Sequence, residues 1–95
     1  MSDRVSLIRD RLQAAFTPAL LEIEDQSAAH AGHAGARNGG HFAVHLLSDA
    51  FVGKTVIQRH RMVYDALGDL MQSEIHALAI KAETTEESNQ EGKHS

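Results

Sequence analysis

Ninety-five residues give room for one domain of marginal core size, and with no cysteine the chain has neither a disulfide to staple that domain nor a thiolate to hold a metal. Hydrophobic residues make up 42% of it, but the only aromatic residues are Phe16, Phe42, Phe51 and Tyr64, so the core is expected to be mainly aliphatic, and no apolar run approaches the ~20 residues of a membrane span. The formal charge of −4 argues against a polyanionic partner, yet four of the thirteen acids (Glu83, Glu86, Glu87 and Glu91) lie at the C-terminal end with one base, Lys93, so the preceding part is nearly neutral, nine acids against eight bases.

Val5, Ile8, Leu12, Ala15 and Phe16 recur at helical spacing, Ser2 or Asp3 offers a cap, and Thr17-Pro18 a stop. This predicts a first helix from Asp3 to Phe16. Apolar and acidic residues alternate in Leu21-Glu22-Ile23-Glu24, the period of a strand with one wet face, over Leu20 to Asp25. Ser27 to Gly40 holds Gly32, Gly35, Gly39 and Gly40 among small residues and two histidines, and reads as a long loop. Loops of that length inside a compact domain are more often functional than ordinary connections.

Alternation returns in His41 to Leu47, with Phe42, Val44 and Leu46 on one face and His41, Ala43 and His45 on the other. Ser48 to Gly53 reads as a turn. The next apolar stripe, Ile57, His60, Tyr64, Leu67 and Met71, widened by Val63 and Leu70, predicts helix, with Gly68 dividing it in two. A third strand is expected from His76 to Ala82, with His76, Leu78, Ile80 and Ala82 sharing a face. Thr84 to Ser95 is polar and aperiodic and is expected to stay disordered, leaving residues 1–83 as the folded domain. The order α-β-β-α-α-β is that of an α+β sandwich, helices packed on one three-stranded sheet.

Three stretches together resemble the BolA family: Ser48-Asp49-Ala50-Phe51-Val52-Gly53-Lys54, then Arg59-His60-Arg61-Met62-Val63-Tyr64, then Ile75-His76-Ala77-Leu78. The resemblance spans about residues 3 to 83. It implies a class II KH-like fold and, as the family's best-defined role, pairing with monothiol glutaredoxins around a shared [2Fe-2S] cluster with glutathione. The family is also associated with transcriptional regulation of cell shape and stress responses. The loop Ala29-His30-Ala31-Gly32-His33-Ala34-Gly35 resembles the family variant that carries histidine there in place of cysteine.

From spacing alone His76 is a strand-edge histidine satisfied by a backbone carbonyl; its role as an iron ligand is what the resemblance implies. His33 and His30 stand three apart in a glycine-rich loop able to fold toward a metal, and either is a candidate second ligand, with His41 a weaker one at the loop's far end. His60 lies on the apolar stripe and reads as a hydrogen-bonded, partly buried side chain.

For the alternative role, a DNA-binding regulator, Lys54, Arg59 and Arg61 are the candidate phosphate contacts, although Arg59 and Arg61 fall about 200° apart around a helix. Gly32-His33-Ala34-Gly35 spells the GxxG of nucleic-acid-binding KH domains, but between strands rather than helices. A third reading, a module whose loop histidines bind zinc or nickel alone, needs no partner. The serines beside acids, Ser48-Asp49 and Ser73-Glu74, lack an orienting histidine, and Glu22 and Glu24 are explained by a wet strand face, so no enzyme is expected. Met1-Ser2-Asp3-Arg4 lacks the apolar stretch of a signal peptide. The expected location is the cytoplasm, with an organelle matrix as the alternative and no membrane contact.

Overall fold

The computed structural model describes residues 4–26 and 40–93. Its elements are α1 (Arg4–Phe16), β1 (Leu20–Asp25), β2 (Gly40–Leu47), a 3-10 turn (Asp49–Phe51), α2 (Val56–Leu67), α3 (Leu70–Ser73), β3 (Ile75–Glu83) and α4 (Thr85–Lys93). The sheet order is β1-β2-β3, with β1 and β2 antiparallel and β2 and β3 parallel. A parallel pair needs a crossover, and α2 and α3 supply it. The expected α+β architecture of helices on one three-stranded sheet is what the chain adopts.

Ile8, Leu12 and Phe16, each one helical turn apart, bury one face of α1 against Phe42, Val44 and Leu46 of β2. Phe51 fills the end of this core, its ring centroid 5.0 Å from that of Phe16. Ser48 ties the same corner together: its hydroxyl donates to the Phe16 carbonyl at 2.8 Å and accepts from the Ala50 N–H at 3.1 Å. α1 stops at Thr17, which takes a positive φ of 42° and donates its N–H to the Gln13 carbonyl, with Pro18 preventing continuation.

α2 opens on a reciprocal cap in which the Thr55 hydroxyl accepts from the Gln58 N–H and the Gln58 side chain accepts from the Thr55 N–H. It ends at Gly68, φ 54°, which separates it from α3 as its sequence position suggested. The buried stripe of α2 is the expected one in part, keeping Val63 and Leu67 but turned so that Arg59 joins them and Ile57 and Tyr64 leave. Arg59, Val63 and Leu67 face the core, while Ile57 is 66% and Tyr64 41% exposed. A charged residue takes a core-facing position because four of its five N–H donors are used: Arg59 donates to the carbonyls of Lys54 and Ala82 at 2.9 and 3.0 Å and grips the Glu87 carboxylate at 2.7 and 3.0 Å.

That carboxylate belongs to α4, so the segment expected to be a disordered tail is helical from Thr85 to Lys93. Thr84 and Glu87 cap it reciprocally, Thr84 N–H to Glu87 Oε1 at 2.9 Å and Glu87 N–H to Thr84 Oγ1 at 3.1 Å. Low hydrophobicity does not decide the outcome here, because a cap and a charge-assisted fork replace an apolar face.

Candidate functional site

β2 and β3 run parallel and both begin at the same end of the sheet, which brings the residue after the loop beside the first residues of β3. Gly40 pairs with Ile75 and His41 with Ala77, so His76 is one extra residue in β3, a bulge. The bulge changes the face on which His76 lies. Ile75 is buried and Leu78, Ile80 and Ala82 pack toward the core, whereas His76 is exposed on the open side of the sheet. The expected phase, His76 with Leu78 and Ile80, is therefore corrected: strict alternation fails where the strand carries an extra residue.

On that open side the His76 ring lies against the ring of His41, with centroids 5.1 Å apart and planes at 37°. His41 is half-buried and His76 exposed. Gln26, the last described residue before the loop, donates its N–H to the His41 carbonyl at 2.7 Å, and Gly40, the first after it, donates to the Glu74 carbonyl at 3.0 Å. Both anchors of the loop thus sit at the two histidines. The candidate ligands His30 and His33 lie outside the described residues.

Further along the open face His45 bridges two strands, Nδ1 3.3 Å from Glu22 Oε1 and Nε2 2.9 Å from Glu83 Oε1. Glu22, Glu24, Ala43, His45, Ala79 and Lys81 line a shallow trough of about 500 Å³ there. The alternation of His41, Ala43 and His45 placed these side chains together on one face. The alternation of the first strand put Glu22 on its wet face, but which carboxylates meet His45 depends on the cross-strand register, which no local pattern shows.

The candidate phosphate contacts separate. Lys54 and Arg61 are exposed, but Arg59 is 8% exposed and committed to Glu87 and two carbonyls, which removes it from any nucleic-acid surface. Glu87 holds its guanidinium above the usual arginine value, and the Arg59 hydrogen bond, helped by the Thr84 backbone, lowers the Glu87 carboxyl to about 2. His60 is half-buried on α2. Among the described residues no group of three or more His, Cys, Asp or Glu is placed to hold a metal ion, and no helix is long and apolar enough to cross a membrane.

The BolA-like protein family matches residues 12–87. The chain is 42% identical over 93 residues to "SufE-like protein 1, chloroplastic/mitochondrial" of Arabidopsis thaliana, covering 92% of this chain and 25% of that protein. It is 41% identical over 80 residues to "DNA-binding transcriptional regulator BolA" of Escherichia coli (strain K12), covering 84% of this chain and 74% of that one. The solved BolA domain of SufE1 from Arabidopsis thaliana superposes with a TM-score of 0.79 at 44% identity, over 92% of this chain and 98% of that domain. The chain thus spans a quarter of the length of the longer plant relative and nearly all of its BolA domain. By the family match and these likenesses in sequence and fold, the chain belongs to the BolA-like proteins.

Proposed function

We propose that this chain is a non-enzymatic iron–sulfur adaptor, which docks on a monothiol glutaredoxin carrying glutathione and contributes His76 to one iron of a shared [2Fe-2S] cluster. The observation that supports this best is the His41–His76 pair at the rim of the open sheet face, flanked by both anchors of the histidine-bearing loop. The second imidazole is drawn from His33, His30 or His41. Imidazole replaces thiolate on one iron of some [2Fe-2S] centres, and the His76 ring is exposed where a partner could reach it.

The output of such a complex is cluster trafficking or iron sensing, in the cytoplasm or an organelle matrix. The test mixes the chain with a cluster-loaded monothiol glutaredoxin and follows complex size and visible spectrum for the native protein and His76→Ala. A complex whose spectrum changes on the substitution is expected; no complex with the native chain sinks the adaptor reading, and an unchanged spectrum removes His76 as a ligand.

A second reading, DNA binding, is favoured by the name of the Escherichia coli relative. With Arg59 buried, Lys54 and Arg61 are left of the three expected phosphate contacts, so binding on this reading is weak and falls steeply with salt. Titration of duplex DNA at two salt concentrations separates it from the adaptor role, since absence of binding at both excludes it.

A further inference from the structure

The two edges of the sheet differ in a way that bears on association. β1 carries Glu22, Glu24 and Asp25 among its six residues, charge of the kind that keeps an edge strand from pairing with another chain. β3, the opposite edge, has no Asp, Glu, Lys or Arg before Lys81. The difference lies in charge, since the core-side residues are half-buried on both edges, Leu21 and Ile23 on β1 as Leu78 and Ile80 on β3, while Val44 and Leu46 on central β2 are buried.

Two hydrogen bonds fix the direction of the β3 backbone. The Glu83 carbonyl accepts from the Ser48 N–H at 2.9 Å, on the side of β2, while the Ala82 carbonyl accepts from Arg59 Nη1 at 3.0 Å. Successive residues of a strand present their N–H and C=O groups to opposite sides, so Leu78, Ile80 and Ala82 turn theirs outward and Ala77, Ala79 and Lys81 turn theirs to β2.

We infer that β3 pairs with β3 of a second copy of this chain, antiparallel, about a two-fold axis at Ala79. In this register Leu78 and Ile80 of the second copy exchange both N–H···O=C bonds, and the axis repeats the exchange. Their half-buried side chains meet on the helix side and complete each other's cover. The neighbouring register would pair Leu78 with Ala82, whose carbonyl Arg59 already holds. Lys81 falls opposite Ala77 rather than opposite a second Lys81. The result is one continuous sheet across both copies, with His41 and His76 left on its open face, so the pairing stands independently of the cluster role.

Ala79 is exposed and the chain has no cysteine, so Ala79→Cys introduces a single thiol on the axis. The non-hydrogen-bonded pair there brings the two Cα atoms to about 4.5 Å, within reach of a disulfide. Ala77→Cys is the control: Ala77 is also exposed on β3, but its two copies lie ~13 Å apart in this register. With diamide as oxidant, Ala79→Cys is expected to form the linked dimer about tenfold faster than Ala77→Cys. Amide exchange of the native chain gives a readout that no substitution can disturb: Leu78 and Ile80 are expected to slow as concentration rises from micromolar to millimolar, and Ala79 is not. Equal trapping of the two cysteine variants, or exchange at Leu78 and Ile80 independent of concentration, overturns the pairing.

Discussion

The guanidinium of Arg59 holds the carboxylate of Glu87 as a fork, Nη1 to Oε1 at 2.7 Å and Nη2 to Oε2 at 3.0 Å, and so fastens α4 to α2 across 28 residues of chain. The same side chain closes the carbonyls of Lys54 and Ala82. Arg59→Ala strips partners from all three acceptors and is expected to cost about 2–4 kcal/mol. Arg59→Lys keeps the charge but not the planar fork, and recovers only part of that loss. Urea denaturation of the three proteins checks the order native, Lys, Ala.

Acid loosens the same contact in a defined window. Because the folded-state value of Glu87 is depressed from 4.5 to about 2, its ionised form stabilises the fold above the unfolded value, and this contribution disappears as pH falls from near 4.5 toward 2. Glu87 is 45% exposed, so solvent screens the fork and the effect is modest. The difference in thermal midpoint between the native chain and Glu87→Gln is expected to be constant above pH 5 and to vanish near pH 2. A difference that persists at pH 2 assigns it to packing instead.

How far these features were visible in the sequence depends on whether they are local. The alternation of Leu20–Asp25 and Gly40–Leu47 and the glycine break at Gly68 are local, and the strands and the split helix follow them. The phase of α2 is only partly legible, because a stripe that adds Ile57 and Tyr64 to Val63 and Leu67 looks more apolar than one that adds Arg59. Only the partners of Arg59, distant in sequence, make its burial tolerable. α4 left a local trace in the spacing of Thr84 and Glu87, a capping signature outweighed by the segment's polarity. The His41–His76 pair left none, since it depends on the parallel register and on a bulge that no residue type announces.

Gly68 tests the junction between α2 and α3. Its backbone, φ 54° and ψ −125°, is one that a side chain enters only under strain, and a Cβ there would meet Arg11 Nη1 at 3.5 Å. That is an ordinary van der Waals distance, so Arg11 keeps its bond to the Leu67 carbonyl at 2.9 Å and its pair with Asp69 at 3.1 Å. Gly68→Ala is expected to cost about 1–2 kcal/mol, mainly through backbone strain, and to lower the thermal midpoint accordingly. Gly53, φ 77°, has nothing within 4 Å of its Cβ position, so Gly53→Ala isolates the backbone component in a parallel melt.

The cluster reading makes a prediction in which charge, rather than binding, is measured. His76 is exposed on a bulge, so His76→Cys disturbs little packing, and its stability is expected to stay within about 0.5 kcal/mol of the native chain. If His76 ligates one iron in the complex with a glutaredoxin, the substitution exchanges a neutral imidazole for a thiolate. The added negative charge then lowers the cluster's reduction potential and removes the His76 share of its pH dependence, leaving that of the second imidazole. His41→Ala, one ring away, leaves the charge at position 76 unchanged and separates a ligand from a neighbour that only positions it. Voltammetry of the three complexes across pH is the measurement. A His76→Cys complex with the native potential and pH profile removes His76 from the iron, whatever its effect on complex formation.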